Sequence, residues 1–145
     1  MGDETEKKIT YLLQQLTLRE KINMIHGGGL FRTGEVERLL LPPLKMSDGP
    51  MGVRHEFENA SWTPACDTDD YVSYCPSNSS LAMTWNRTLC EKAGMVLGEE
   101  ARGRGKDVIL APGINIKRVP VCGRNFEYFS EDPYLISELC VPFIK

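Results

Sequence analysis

The sequence predicts an α/β chain with a parallel sheet that is only partly built, and three observations carry that expectation. Short apolar stretches at residues 44–46, 81–85 and 108–111 alternate with helical patterns of ten or more residues, the arrangement that βαβ units and a parallel sheet produce. The stretch at 108–111 has no polar alternation, as expected of a strand buried on both faces. With about three strands in 145 residues, the sequence ends before a closed eight-stranded barrel of roughly 250 residues could form.

The elements follow in order. Residues 1–27 read as a helical lead-in: a helix over 9–16, then Thr17 three residues before Glu20 as a capping box, with Leu18, Ile22 and Ile25 on one helical face until a glycine loop begins at Gly27. Pro42 and Pro43 forbid a central strand over 39–46 and leave residues 44–46, a strand that delivers Ser47 and Asp48 at its C-terminal end. Residues 56–80, rich in Ser, Thr, Asp, Asn and Pro, read as a long surface loop. Beyond the stretch at 81–85, Asn86 caps a helix on which Leu89, Ala93, Val96, Leu97 and Ala101 repeat at steps of three and four, closed by Gly103 and Gly105. After a loop over 113–130, Asp132 caps and Pro133 opens a final helix with Leu135, Ile136, Leu139 and Phe143 facing inward. A proline inside a helix costs about 3 kcal/mol, so this helix is expected to kink near Glu138 or stop before Pro142.

Length and composition are those of one ordinary folded domain or a piece of one. A net charge of −3 provides no field that attracts nucleic acid or an anionic membrane, and no run approaches the ~20 apolar residues of a membrane span. Residues 1–8 are polar and mostly charged, which fits neither a secretory signal nor a transit peptide; a cytoplasmic protein is the expectation. Cys66, Cys75, Cys90, Cys122 and Cys140 are odd in number, with no C-x-x-C pair, and read as reduced, mostly buried thiols. The acceptor triplets at Asn59, Asn78 and Asn86 carry meaning only in a secreted chain and are read as chance.

Two segments carry chemistry. Met46-Ser47-Asp48-Gly49-Pro50-Met51-Gly52-Val53-Arg54 sets a carboxylate at a strand end, turns sharply, and supplies an arginine. An ionised carboxylate there can accept hydrogen bonds from two adjacent sugar hydroxyls while the arginine holds its orientation; the plain alternative is a turn whose own amides Asp48 caps. The loop over 113–130 follows a strand directly, where α/β folds bind ligands, and so places Lys117, Arg118, Arg124 and Glu127 for function. A salt-bridged connector is the alternative.

Asp48 within Ser-Asp-Gly-Pro, Gly98-Glu99-Glu100-Ala101-Arg102, Leu110-Ala111-Pro112-Gly113-Ile114-Asn115-Ile116 and Gly123-Arg124-Asn125-Phe126-Glu127-Tyr128-Phe129-Ser130-Glu131-Asp132-Pro133 occur in an order and spacing that resembles glycoside hydrolase family 3 enzymes of the β-glucosidase type. Leu16-Thr17-Leu18-Arg19-Glu20-Lys21 and Ala82-Met83-Thr84-Trp85-Asn86 agree as well. The resemblance implies the N-terminal part of a (β/α)8 TIM-like barrel, incomplete in this chain, and a retaining, exo-acting glycosidase. It also implies an Asp nucleophile late in the barrel and a Glu acid/base in a following α/β sandwich domain, so the expected partners are the rest of the barrel, that domain, and a β-glucoside or oligosaccharide substrate. No catalytic carboxylate, cofactor or metal is expected within these residues. By position Asp48 resembles the carboxylate that grips hydroxyls at the far side of the terminal sugar and Arg124 the arginine of the same subsite, with Arg54 and Arg118 as supports; Glu131 and Asp132 read as structural. The family's later Lys-His pair has no match, since the histidines are His26 and His55. Lys117, where an aromatic is frequent, and Pro142 are smaller departures.

Other classes fit less well. His26-Gly27-Gly28-Gly29 is superficially like the oxyanion loop of lipases, but no serine is flanked by glycines as their nucleophile is. Arg102-Gly103-Arg104-Gly105-Lys106 lacks the ending of a phosphate loop, and basic residues at a helix C-terminus are favoured by the macrodipole alone. A non-catalytic sugar-binding or assembly module, or an inactive truncated remnant, is the remaining alternative.

Overall fold

The computed structural model describes residues 2–65 and 71–145; Cys66 and the middle of the 56–80 loop lie outside the described residues. The chain divides into two compact units, Met1–Lys45 with Phe57–Thr63, and Met46–Glu56 with Pro64–Lys145.

The first unit opens with helices α1 (Asp3–Gln15) and α2 (Leu18–Met24). Thr17 starts α2 as its sequence dictates: the hydroxyl accepts the Glu20 amide at 3.3 Å and the Glu20 carboxylate accepts the Thr17 amide at 2.8 Å. Neither helix buries a side chain, and the face bearing Leu18, Ile22 and Ile25 is exposed. The expected glycine loop is instead a short strand. Gly27–Gly29 (β1) pairs antiparallel with Arg32–Thr33 (β2), because the chain turns back at residues 30–31 and brings the two backbones into register. Residues 57–63 return to this unit, where Trp62 meets Phe31 and Phe57 edge-on with centroids 5.8 and 5.4 Å apart.

The second unit contains the parallel pair. Strands β3 (Met46–Asp48) and β4 (Val108–Leu110) align Met46 with Val108, Ser47 with Ile109 and Asp48 with Leu110. The strand expected at 44–46 thus lies two residues later. Leu44 is engaged in the first unit instead, its carbonyl accepting from the Thr33 amide at 3.1 Å and its amide donating to the Thr33 hydroxyl at 2.9 Å. Ser47 and Asp48 belong to the strand rather than following it. The expectation that 108–111 is buried on both faces also fails: Val108 and Leu110 are 37% and 48% exposed, because β4 pairs with β3 alone among the described residues.

The stretch 81–85 is not a strand: residues 81–83 end helix α3 (Asn78–Met83), and Thr84 and Trp85 form the turn after it. Ser77 caps it by accepting the Ser80 amide at 3.2 Å, and Leu81 and Ala82 are buried on one side; a short apolar run does not by itself separate strand from buried helix. Helix α4 (Arg87–Gly103) begins, as expected, with the Asn86 side chain accepting the Leu89 amide at 3.2 Å. Its buried stripe is Cys90, Leu97 and Ala101, with Ala93 half-buried, whereas Leu89 and Val96 face out. Helix α5 (Pro133–Ile144) is capped by Asp132 and turns Ile136, Leu139 and Phe143 inward. It neither stops before Pro142 nor breaks there. Pro142 falls in the last turn, with Phe143 and Ile144 the helical residues beyond it, so the loss is confined to the bond its missing amide would make and little helix is left to break.

One core joins these elements: Val53, Leu81, Cys90, Leu97, Phe129, Ile136, Leu139 and Phe143 are all buried in it, each large aliphatic or aromatic member contributing about 1.5–3 kcal/mol by leaving water. Phe129 meets Phe143 edge-on at 6.2 Å. Gly94 lets α4 and α5 approach, since a Cβ there would lie 2.0 Å from the Phe143 carbonyl oxygen. Of the described cysteines only Cys90 is buried, and Cys122 is exposed rather than buried as expected. Among the described residues no helix is long and apolar enough to cross a membrane.

Candidate functional site

Asp48 ends β3 with its side chain partly exposed. Beyond it the backbone reverses at Gly49 and Gly52, both with φ of 141°, and a Cβ on Gly49 would stand 1.6 Å from the Gly52 oxygen, so only glycine closes this turn. The reversal returns Arg54 to Asp48 twice. The Arg54 amide donates to the Asp48 carbonyl at 3.1 Å and to the buried Ser47 hydroxyl at 3.1 Å, and an Arg54 guanidinium nitrogen lies 3.2 Å from the Asp48 carboxylate. The turn rests on a second strand of chain. The Cys75 amide donates to the Met51 carbonyl at 2.7 Å, and the Ser73 amide is held by Glu100 of α4 at 3.0 Å. Burial, with Glu100 nearby, pushes the Cys75 thiol up.

The loop after β4 brings the second arginine. A 3-10 turn at Asn125–Glu127 places the nearly buried Glu127 carboxylate against Arg124 Nε, and the Arg124 guanidinium stands 6.0 Å from the Tyr128 ring centroid. The bond to Glu127 raises the Arg124 pKa, followed by the charges of Glu127 and Tyr128 and, more weakly, of Asp48. Asp48, Arg54 and Glu127 line one cavity of about 290 Å³, with His55, Tyr74 and Phe126 completing its wall.

Of the four candidates, the structure pairs Asp48 with Arg54, while Arg124 pairs with Glu127, which lines the same cavity as Asp48. Arg118 is the exception. It is exposed, makes no hydrogen bond or ion pair among the described residues, and lines a separate cavity of about 570 Å³ with Lys117, Trp85 and Glu131. The residue that the 3-10 turn carries onto Arg124 is Glu127. Glu131, expected to pair with arginines, has no ion pair among the described residues, while Asp132 caps α5 through the Tyr134 amide at 2.9 Å. Tyr74 and Asn78 were hidden in what reads as a surface loop; the Ser77-to-Ser80 cap was the signal that could have ended that loop earlier.

The cavity is lined by the Asp48 and Glu127 residues as carboxylate acceptors and by Arg54 as a guanidinium donor, the groups that bind vicinal hydroxyls. Among the described residues no three His, Cys, Asp or Glu side chains cluster as metal ligands would.

Comparison with known proteins supplies the context. Residues 68–145 match the glycosyl hydrolase family 3 N-terminal domain. A β-glucosidase of Bacteroides ovatus is 47% identical over 140 residues, covering 97% of this chain and 19% of that protein. The thermostable β-glucosidase B of Acetivibrio thermocellus is 44% identical over 137 residues, covering 94% of this chain and 18% of its own length. The structure of β-glucosidase 3B from Thermotoga neapolitana in complex with glucose superposes with a TM-score of 0.83 at 41% identity, covering 95% of this chain and 21% of that one. The chain thus spans about a fifth of the length of the curated relatives it matches. With a parallel strand pair linked through helices in the order that opens a (β/α)8 barrel, and a family match over more than half its residues, the chain belongs to glycosyl hydrolase family 3 and forms part of its barrel-like N-terminal domain.

Proposed function

We propose that this chain supplies the terminal-sugar grip of a retaining β-glucosidase, the nucleophile and the acid/base coming from barrel strands and an α/β sandwich domain outside these residues. The observation that carries the reading is one cavity lined by Asp48 at the end of β3, by its partner Arg54, and by Glu127, the carboxylate that pairs with Arg124 in the loop after β4. Relatives named β-glucosidases over nearly the whole chain give the substrate class.

In this reading Asp48 accepts hydrogen bonds from two neighbouring hydroxyls of the non-reducing-end pyranose, Arg124 donates to one of them, and Arg54 fixes the Asp48 carboxylate. Bonds to sugar hydroxyls that tighten in the transition state lower the barrier to double displacement between two carboxyl groups about 5–5.5 Å apart. Arg118 has no direct part.

A polypeptide continuing this chain through the later strands and the sandwich domain is expected to hydrolyse an aryl β-glucoside with retention at the anomeric carbon. In it Asp48→Ala should lower kcat/KM about a hundredfold or more, each charge-assisted bond being worth roughly 1.5–3 kcal/mol. Unaltered kinetics would assign Asp48 to the turn alone. Sugar binding without turnover in the extended polypeptide would favour a non-catalytic module.

A further inference from the structure

The loop that carries Arg124 is held from behind by the first turn of α3. Asn78, 0% exposed, donates from Nδ2 to the Glu127 carbonyl at 2.9 Å. Its neighbour Ser79 directs its hydroxyl at three carbonyls of the same loop, Tyr128 at 2.9 Å, Phe126 at 3.3 Å and Asn125 at 3.4 Å. Lys117 closes the arrangement, its ammonium donating to Ser79 Oγ at 2.7 Å and to the Phe129 carbonyl at 3.3 Å. Consecutive carbonyls from 125 to 129 therefore face one small region, where their dipoles repel one another unless donors and a cation are supplied. The donors come from α3 and the cation from the loop after β4.

We propose that Asn78 and Ser79, with Lys117, are positioning residues for Arg124: they fix the inner side of the 124–130 loop so that Glu127 holds Arg124 in place. They touch no sugar and act through the loop. Burial of Asn78 makes its part strict, since a buried amide deprived of its acceptor, or a carbonyl deprived of its donor, is not rescued by water. The proposal rests on the sugar-grip reading for its functional consequence, while the clamp itself can be observed without any sugar.

The experiment uses the extended enzyme with Ser79→Ala, Ser79→Thr and Asn78→Ala, and with Ser80→Ala as the control on the same turn. Asn78→Ala empties a fully buried position and can fail to fold; Ser79→Ala, at a half-buried position, retains the helix. Two quantities are read. Amide hydrogen exchange in the peptide covering residues 122–130 should quicken about tenfold in Ser79→Ala, with Ser79→Thr and Ser80→Ala close to wild type. Glucose affinity, read as product inhibition, should weaken by a similar factor in Ser79→Ala, and that loss should vanish when Ser79→Ala is introduced into Arg124→Ala, because residues acting through one another are not additive. Unchanged exchange at 122–130 overturns the clamp. An equal loss with and without Arg124 also overturns it. Should exchange quicken while Arg124→Ala itself leaves glucose affinity intact, the clamp stands and the sugar-grip reading is what fails.

Discussion

At the scale of single residues, the first unit shows how one carboxylate can serve several elements. Glu20 completes the capping box of α2 and also accepts from Arg38 Nε at 2.6 Å and Nη2 at 2.5 Å, while the same Nη2 donates to the Gln15 carbonyl at 2.8 Å. These bonds, Arg38 first and then the Thr17 amide and hydroxyl, lower the Glu20 pKa from 4.5 to about 2. A folded-state pKa below the unfolded value means a contribution that is complete above about pH 4.5 and is lost as pH falls toward 2. Melting curves of wild type and Glu20→Gln should therefore differ by a constant amount at neutral pH and converge in acid; a gap that persists down to pH near 2 would contradict the assignment. Arg54 is the residue-scale counterpart in the second unit. A guanidinium nitrogen of its side chain lies 3.2 Å from the Asp48 carboxylate, a charge contact a lysine can partly reproduce, so Arg54→Lys in the extended enzyme should weaken glucose affinity less than Arg54→Ala does, which inhibition constants would rank.

At the scale of elements, packing depends on where backbones are allowed to approach. Replacing Gly94 by Val sets a Cβ 2.0 Å from the Phe143 carbonyl, and separating α4 from α5 should destabilise the protein by about 1–3 kcal/mol, visible as a lower denaturation midpoint; an unaffected midpoint would mean the helices slide freely. Elements governed by local chemistry were legible in the residues alone. The caps at Thr17, Asn86 and Asp132, the proline opening α5, and the stripe ending at Ala101 all depend on neighbours within a few positions. What was not legible depends on distant pairing. Residues 81–85 are apolar enough for a strand, but the cap at Ser77 and contacts with α5 carry a helix through Met83, and Thr84 and Trp85 turn out of it. Leu44 shifts the start of β3 because Thr33, eleven residues away, takes its backbone groups. Asp48, Arg54 and Arg124 are singled out by their polar segments and by the family resemblance. Asn78 could not, since nothing near it in sequence reveals a bond to Glu127, 49 residues on.

At the scale of the whole molecule, the described apolar surface sets expectations for the isolated chain. Leu110, Ile114 and Val119 are each about half exposed along and beyond β4, and an unpaired edge beside apolar side chains invites association. The 145-residue chain by itself should unfold over a broad range and bind a hydrophobic dye before unfolding, whereas the extended enzyme should do neither; a sharp, single melting step of a monomer would refute this. The comparison also separates folding from chemistry, since a chain able to bind glucose without turnover would hold the grip alone.

The double tie between Asp48 and Arg54 has a consequence for ligand capture. Backbone and side chain together make a closed ring of seven residues, rigidified by two glycines in a conformation few other residues adopt. On the proposed sugar-grip reading its carboxylate is held before a saccharide arrives, so association would forfeit little additional conformational freedom. The ring also acts as a ruler: lengthening it by a single inserted residue would sever both ties at once and leave the acid group without a fixed bearing.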